Sequence, residues 1–167
     1  MNQSAKSSFK GALKSADTPR VAIVSSGWHK TIVANAIEAI KDEFERSHIP
    51  SNNLEFFEVP GAFEIPLHAM RLSESGRYDA IIACGFIVDG GIYRHEFVAS
   101  AVIDGLMQVQ LQSGVPIFSA VLTPKNFHEH EDHIRFFSAH FINKGSEVAR
   151  ACIETLASLS SLPRECA

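Results

Sequence analysis

Long apolar runs are absent from this 167-residue sequence, and its N-terminal region has no apolar stretch of the kind found in a signal peptide. The first absence excludes a transmembrane helix, and the second leads us to expect a cytoplasmic protein. Basic residues are also too few for a nucleic-acid surface, because 15 lysines and arginines against 19 acidic residues give a net charge of −4.

Cysteine is scarce, and the three residues present are widely spaced with no CxxC pair: Cys84, Cys152 and Cys166. An odd number at such spacing argues against a disulfide framework and against a zinc site, so we expect buried or idle thiols. The P-loop, GxGxxG and nucleophile-elbow motifs are missing as well. The enzyme classes that depend on those motifs are therefore not indicated.

What the sequence does contain is the composition of a globular domain, with 46% apolar and 20% charged residues. Residues 1–19 are rich in serine, lysine, glycine and alanine and show little periodicity, so we interpret them as a flexible N-terminal arm. Residues 20–167 are enough for a single domain with a substantial core.

Strand and helix patterns alternate along that domain. Short apolar runs predict strands at 20–26, 54–59, 79–86 and 117–122, and helical spacing predicts a helix after each, the last at 144–159 with an extra short helix before it. Such alternation is typical of an α/β fold with a four-stranded parallel sheet between helices. The run 79–86 is nearly all apolar, which predicts a central strand covered on both faces.

Four loops follow these strands, and a parallel sheet brings the carboxyl ends of its strands to one edge. They contain Gly27-Trp28, residues 60–64, residues 87–95 and residues 123–127. The sequence therefore predicts a ligand site at that edge.

The third of these loops has the most unusual composition. An apolar run ends there, Asp89-Gly90-Gly91 interrupts the pattern, and a helical pattern resumes near Phe97. Adjacent glycines allow backbone N–H groups to approach an anion, with Arg94 as a fixed cation and His95 as a proton carrier. A plain tight turn and a hydrogen-bonded histidine are the simpler explanation.

Two other loops also have a functional and a structural interpretation. Trp28, the single tryptophan, either stacks on a heterocycle or packs on the core at a helix start. Gly61, Ala62 and Phe63 could offer amides to the polar edge of a ligand, whereas capping is the favoured explanation of Glu64 at the same helix start.

Residues 127–141 combine four histidines with three acidic residues: His128, His130, His133, His140, Glu129, Glu131 and Asp132. Their spacing is not that of HExxH, and no cysteine lies among them. We therefore favour a solvated face or a subunit contact over a metal site.

Four segments, in this order along the chain, resemble the lumazine synthase family. The most specific is 59–66 (VPGAFEIP), and the others are 85–98, Leu122-Thr123-Pro124 and Asn143-Lys144-Gly145. The resemblance covers about residues 20–159 and implies a flavodoxin-like, three-layer αβα fold. It implies condensation of 5-amino-6-(D-ribitylamino)uracil with 3,4-dihydroxy-2-butanone 4-phosphate to 6,7-dimethyl-8-ribityllumazine, phosphate and water, with no metal or organic cofactor.

The resemblance also implies roles for single residues. Trp28 would stack on the pyrimidine ring, the segment Gly61-Ala62-Phe63-Glu64 would hold the ribityl chain, and Ile87 and Val88 would give backbone contacts to the pyrimidine edge. Part of the phosphate pocket would be Gly90, Gly91 and Ile92. Phe118 and Lys144 would come from the adjacent subunit of a homopentamer, which in this family can pair into decamers or build icosahedral shells.

Three positions depart from the family pattern. Asp89 stands where an arginine is usual, and the position of the catalytic histidine falls on Arg94, with His95 one residue later. Arg135 is the nearest counterpart of the phosphate-binding arginine, but its interval differs by about one residue, so His133 is a second candidate. This variant resembles the divergent second type of the family, which is typically decameric.

The altered positions leave a second hypothesis open. The chain could be a lumazine- or flavin-binding protein that has kept the pocket with little or no turnover. Tight binding of the lumazine without product formation would distinguish this hypothesis from an active enzyme.

Overall fold

A computed structural model describes residues 18–90, 92 and 94–163 of the chain. The predicted arm, 1–19, lies outside the described residues except for its last two. The carbonyl oxygens of Thr18 and Pro19 accept hydrogen bonds from Asn53 Nδ2 at 2.8 and 3.2 Å. The chain is thus fastened to the sheet just before its first strand.

Four parallel strands form the sheet in the order β2-β1-β3-β4. They are β1 (Val21–Ser26), β2 (Leu54–Val59), β3 (Ala80–Phe86) and β4 (Ile117–Leu122). All residues of β1 and β3 are buried. The prediction of a central strand covered on both faces is therefore confirmed for β3.

Helices cover both faces of this sheet: α1 (Lys30–Arg46), α2 (Ile65–Glu74), α3 (His95–Ser113) and α4 (Glu131–Ser160). One face carries α1 and α4, and the other carries α2 and α3. Side chains alternate accordingly, with Val21 and Ile23 in the first core and Ala22 and Val24 in the second. The predicted three-layer, flavodoxin-like α/β fold is confirmed.

The last helix differs from the prediction. Instead of a short helix within 127–141 and a final helix from 144, one continuous helix runs over Glu131–Ser160. The buried residues Phe141, Val148, Cys152 and Leu156 keep one helical stripe directed at the core, so the pattern does not end at Asn143-Lys144-Gly145.

Gly145 lies inside this helix because of its packing. A β-carbon on Gly145 would overlap the carbonyl oxygen of Ala36 in α1 and would lie 2.9 Å from both Ala36 Cα and Ala39 Cβ. Since only a residue without a side chain allows this approach, the glycine of the Asn-Lys-Gly motif is explained by the contact between two helices.

The two cysteines in the described part of the chain are buried free thiols, as expected. Burial raises the pKa of Cys84 and that of Cys152 to about 12 each. Cys166 lies outside the described residues. Among the described helices, none is both long enough and apolar enough to cross a membrane.

Candidate active site at the carboxyl edge of the sheet

The carboxyl ends of β1 and β3 lie side by side at the point where the strand order reverses, since β2 is on one side of β1 and β3 on the other. In open α/β sheets the crevice at such a point is the usual ligand site. The backbone N–H of Gly27 donates to Val59 O at 2.8 Å, which joins the loop after β1 to the end of β2.

Trp28 lies in the loop after β1, at the carboxyl edge of the sheet, and it is 68% exposed. It therefore does not pack in the core of its own chain. A large exposed aromatic side chain at a strand end is available as a flat contact for a ring. The geometry favours the stacking interpretation of Trp28.

The next residue, His29, caps α1 in a left-handed conformation with φ 51°. Its ring makes edge contacts with Phe86 at the end of β3, at 5.5 Å between centroids, and with Phe127 in the loop after β4, at 5.3 Å. These contacts hold a backbone conformation that few non-glycine residues adopt, immediately beside Trp28.

The loop after β2 is tightened by a hydrogen bond within it. Glu64 Oε2 accepts the backbone N–H of Gly61 at 2.9 Å, so the capping interpretation of Glu64 is confirmed. Ala62 and Phe63 form the intervening turn, and Phe63 is 63% exposed. One of the three amides proposed for a ligand is thus already bonded, while an aromatic ring stands free beside it.

The loop after β3 begins in the core and then opens to solvent. Ile87 is buried, and its N–H donates to Leu122 O at 2.9 Å, while Val88 is half-buried. Gly90 is exposed with open space around it, and Ile92 is 89% exposed. Gly91 lies outside the described residues. This is a loop with room for a ligand beside it.

The two candidates for the proton carrier face different surroundings at the start of α3. Arg94 is exposed, and its guanidinium lies 5.6 Å from the centre of the Phe97 ring. The side chain of His95 is only 14% exposed, with Nδ1 3.5 Å from Glu96 Oε2. The histidine is therefore the more enclosed of the two.

His133 and Arg135 lie in the first turns of α4 and point in different directions. His133 Nδ1 accepts the N–H of His128 at 3.2 Å, and its ring lies 6.3 Å from that of Phe127. Arg135 is 73% exposed and is paired with Asp132. Only His133 is directed towards the cluster of rings at the carboxyl edge.

The histidine-rich segment forms no metal-binding arrangement within the described residues. Instead its rings stack on one another, as with His128 on His133 at 5.6 Å and Phe136 on His140 at 6.1 Å.

Phe118 and Lys144 are not brought to this edge. Phe118 pairs with Ile82 near the start of β4, and four further residues of β3 separate that level from the edge, about 13 Å. Lys144 lies about 20 Å along α4 from its first residue, and it pairs with Glu147 at 2.6 Å. Within one chain these residues cannot contact a ring stacked on Trp28.

Sequence reasoning missed the part played by Asp89, whose Oδ1 accepts the N–H of Phe127 at 2.8 Å. It also missed His29 and Phe127 as neighbours. The only signal available was that both residues lie in the loops after strands, because nothing local in a sequence indicates a contact between distant loops.

Comparison with known proteins gives one family. Residues 18–160 match the family model described as 6,7-dimethyl-8-ribityllumazine synthase. A Rhodococcus erythropolis protein of that name is 56% identical over 144 residues, covering 86% of this chain and 93% of that protein. Proteins named 6,7-dimethyl-8-ribityllumazine synthase 2 are 55% identical in Bradyrhizobium diazoefficiens (86% of each chain) and 48% identical in Pseudomonas syringae (90% and 89%).

Proposed function

The chain belongs to the 6,7-dimethyl-8-ribityllumazine synthase family, and we propose that it catalyses the condensation after which that family is named. It joins 5-amino-6-(D-ribitylamino)uracil to 3,4-dihydroxy-2-butanone 4-phosphate and releases 6,7-dimethyl-8-ribityllumazine, phosphate and water. The match over residues 18–160 carries this conclusion, and the relatives named as synthases support turnover rather than binding alone.

The pyrimidine substrate is bound over the crevice between β1 and β3. Trp28 stacks on its ring, and the backbone of Ile87 and Val88 meets its polar edge. The amides of Ala62 and Phe63 hold the ribityl chain together with the Glu64 carboxylate, one oxygen of which accepts the Gly61 amide. What supports this placement is that these loops meet at one edge, with Trp28 68% exposed there.

The phosphate of the second substrate is bound by the loop of Gly90, Gly91 and Ile92. The open space at Gly90 supports this assignment, while Gly91 is included on the sequence alone. His133 is directed to the same edge of its own chain, and Arg135 is directed away from it. We assign His133 to this chain's own site and keep Arg135 as a candidate for a neighbour's site.

A second subunit completes the site. Phe118 and Lys144 lie far from the carboxyl edge of their own chain, so if they serve the reaction they do so in a neighbouring copy. We propose a homopentamer as the basic unit, paired into a decamer as in the second type that the sequence resembles.

His95 is the residue that moves protons in this proposal. Imidazole gains and loses a proton near neutral pH, whereas a guanidinium stays charged. The enclosed position of His95 beside the glycine loop supports the choice over the exposed Arg94. The proton transfers accompany attack of the 5-amino group on the ketone, loss of phosphate and ring closure.

Much of the rate enhancement comes from holding the amine of one substrate next to the carbonyl of the other, because orientation turns a bimolecular encounter into a step within one complex.

The proposed activity is tested by mixing the purified protein with both substrates and following lumazine absorbance against the spontaneous reaction. We expect a rate above background that rises in proportion to protein. A rate equal to background, with the lumazine still bound, would instead identify a binding protein.

A further inference from the structure

Asp89 accepts a hydrogen bond from the loop after β4, and this bond leads through two rings to Trp28. We propose that Asp89 is a positioning residue: it holds Phe127 against His29 and so fixes the aromatic platform of Trp28. The inference rests on the proposed function, because it explains how the ring of the bound pyrimidine is kept in place.

The first step is the bond itself. Asp89 is half-buried, and its Oδ1 accepts the N–H of the buried Phe127 at 2.8 Å. A hydrogen bond from a backbone N–H to a carboxylate is stronger than one between two neutral groups. The bond ties the loop after β3 to the loop after β4 and sets where the Phe127 ring lies.

The second step is a triangle of rings. Phe127 makes edge contacts with Phe86 at 5.0 Å and with His29 at 5.3 Å, and His29 contacts Phe86 at 5.5 Å. Phe86 is fixed by β3 and is 3% exposed. The ring of Phe127 therefore closes the side of the His29 ring that the sheet leaves open.

The third step is the backbone. His29 has φ 51°, a conformation that persists in a non-glycine residue only where the surroundings enforce it. Trp28 precedes His29 directly and is itself 68% exposed, so its position depends on its backbone more than on packing around its ring. If His29 lost the contacts that enforce its backbone conformation, the adjacent Trp28 would therefore lose its fixed position as well.

The identity of residue 89 agrees with this role. The family pattern has an arginine here, and an arginine side chain has no acceptor for the N–H of Phe127. The contacts among Asp89, Phe127 and His29, here called the latch, therefore depend on the carboxylate at position 89 of this chain.

The test compares Asp89→Ala with Asp89→Asn, which retains an acceptor oxygen. The matched control is Asp79→Ala, because Asp79 Oδ2 also accepts a backbone N–H, that of Arg20 at 2.9 Å, but before β3 at the other end of the strands. Three kinds of measurement are made: fluorescence of Trp28 (emission and acrylamide quenching), equilibrium binding (the Kd of 6,7-dimethyl-8-ribityllumazine) and steady-state kinetics (KM and kcat).

Trp28 is the single tryptophan, so the protein's tryptophan emission reports on it alone. We expect Asp89→Ala to shift that emission and to raise the Kd and the pyrimidine KM roughly tenfold. Asp89→Asn restores most of the loss, and Asp79→Ala leaves the emission unchanged and the Kd, KM and kcat within about twofold of the parent.

A double variant separates positioning from a general loss of structure. In a Trp28→Ala background, Asp89→Ala should change the Kd by less than about twofold, because the residue it positions is gone. A tenfold effect that persists there, or an Asp89→Ala variant with unchanged emission and Kd, would overturn the proposal.

Should Asp89→Ala not fold, as judged by circular dichroism, His29→Ala takes its place. It removes the middle ring and leaves the Asp89–Phe127 bond, and the same shift of emission is expected. The measurement of Trp28 emission needs no substrate. A failure of the proposed function would thus appear as absent turnover, and a failure of the latch as unchanged Trp28 emission.

Discussion

At the scale of single residues, the exposure of Trp28 distinguishes between its two possible roles, because it favours stacking on a ligand ring over packing in the core. Trp28 is exposed in the loop after β1, while its neighbour His29 is held by two rings. We expect Trp28→Ala to weaken lumazine binding by about 1–3 kcal/mol, the usual worth of stacking a base on an aromatic ring. Equilibrium titration with the lumazine measures this.

Trp28→Phe is the matched control, because it keeps a ring and should retain most of the affinity. Equal affinity of the Ala variant and the parent would remove Trp28 from the binding site.

Arg94 and His95 are adjacent in sequence but differ in exposure, which makes them separable by mutation. We expect His95→Ala to lower kcat by roughly 10²-fold or more, because a general acid–base group is lost. We expect Arg94→Ala to act mainly on KM, if at all, since its guanidinium lies over Phe97. Steady-state kinetics of both variants decides between them.

The opposite pattern would show that the alignment without a gap, which places the catalytic position on Arg94, is the better guide. His68→Ala serves as the control. His68 is an exposed histidine on α2 that bonds only to the Glu64 carbonyl oxygen among the described contacts, and its loss should leave kcat unchanged.

At the scale of elements, the contact between α1 and α4 decides the form of the last helix. A β-carbon on Gly145 would meet the Ala36 backbone. We expect Gly145→Ala to lower the free energy of unfolding by about 1–3 kcal/mol, even though alanine is the better helix former. Urea denaturation measures the change.

Gly105→Ala in α3 provides the comparison. Its β-carbon would meet only side-chain atoms of Pro66, at 3.1 and 3.2 Å, so a smaller loss is expected. A Gly145→Ala variant more stable than the parent would contradict the packing explanation.

The same element shows where the sequence misleads. Asn143-Lys144-Gly145 has the composition of a helix boundary, and the polar, histidine-rich stretch before it hides the helical spacing of Phe137 and Phe141. Local propensity of that kind is weak compared with a glycine that lets two helices meet, so α4 continues through it.

At the scale of the whole molecule, α3 exposes more apolar surface than a monomer usually does. Four of its large apolar residues are at least 40% exposed: Phe97, Ile103, Met107 and Leu111. Ile103, Met107 and Leu111 follow one another at intervals of four residues and so share one face of α3, and an exposed apolar face of this kind indicates a protein interface. We expect sedimentation velocity to give the mass of five or ten chains.

Leu111→Glu should shift that mass towards smaller species, because it introduces a charge into the apolar face. Gln112→Glu adds the same charge at the next, exposed position and should leave the assembly intact. A wild-type mass of one chain would contradict the shared site, since Phe118 and Lys144 would then have no neighbour to serve.

The sequence by itself determined the alternation of strands and helices, the buried central strand and the loops at one edge. These depend on hydrophobic periodicity and on glycine and proline, which act within a few residues. Only the tertiary structure decided that Glu64 caps its own turn, that α4 is one helix, that Phe118 and Lys144 lie away from the edge, and that Asp89 holds Phe127. Each of these findings depends on contacts between particular atoms, and most of the contacts join residues that are far apart in the chain. Local periodicity carries no information about such contacts.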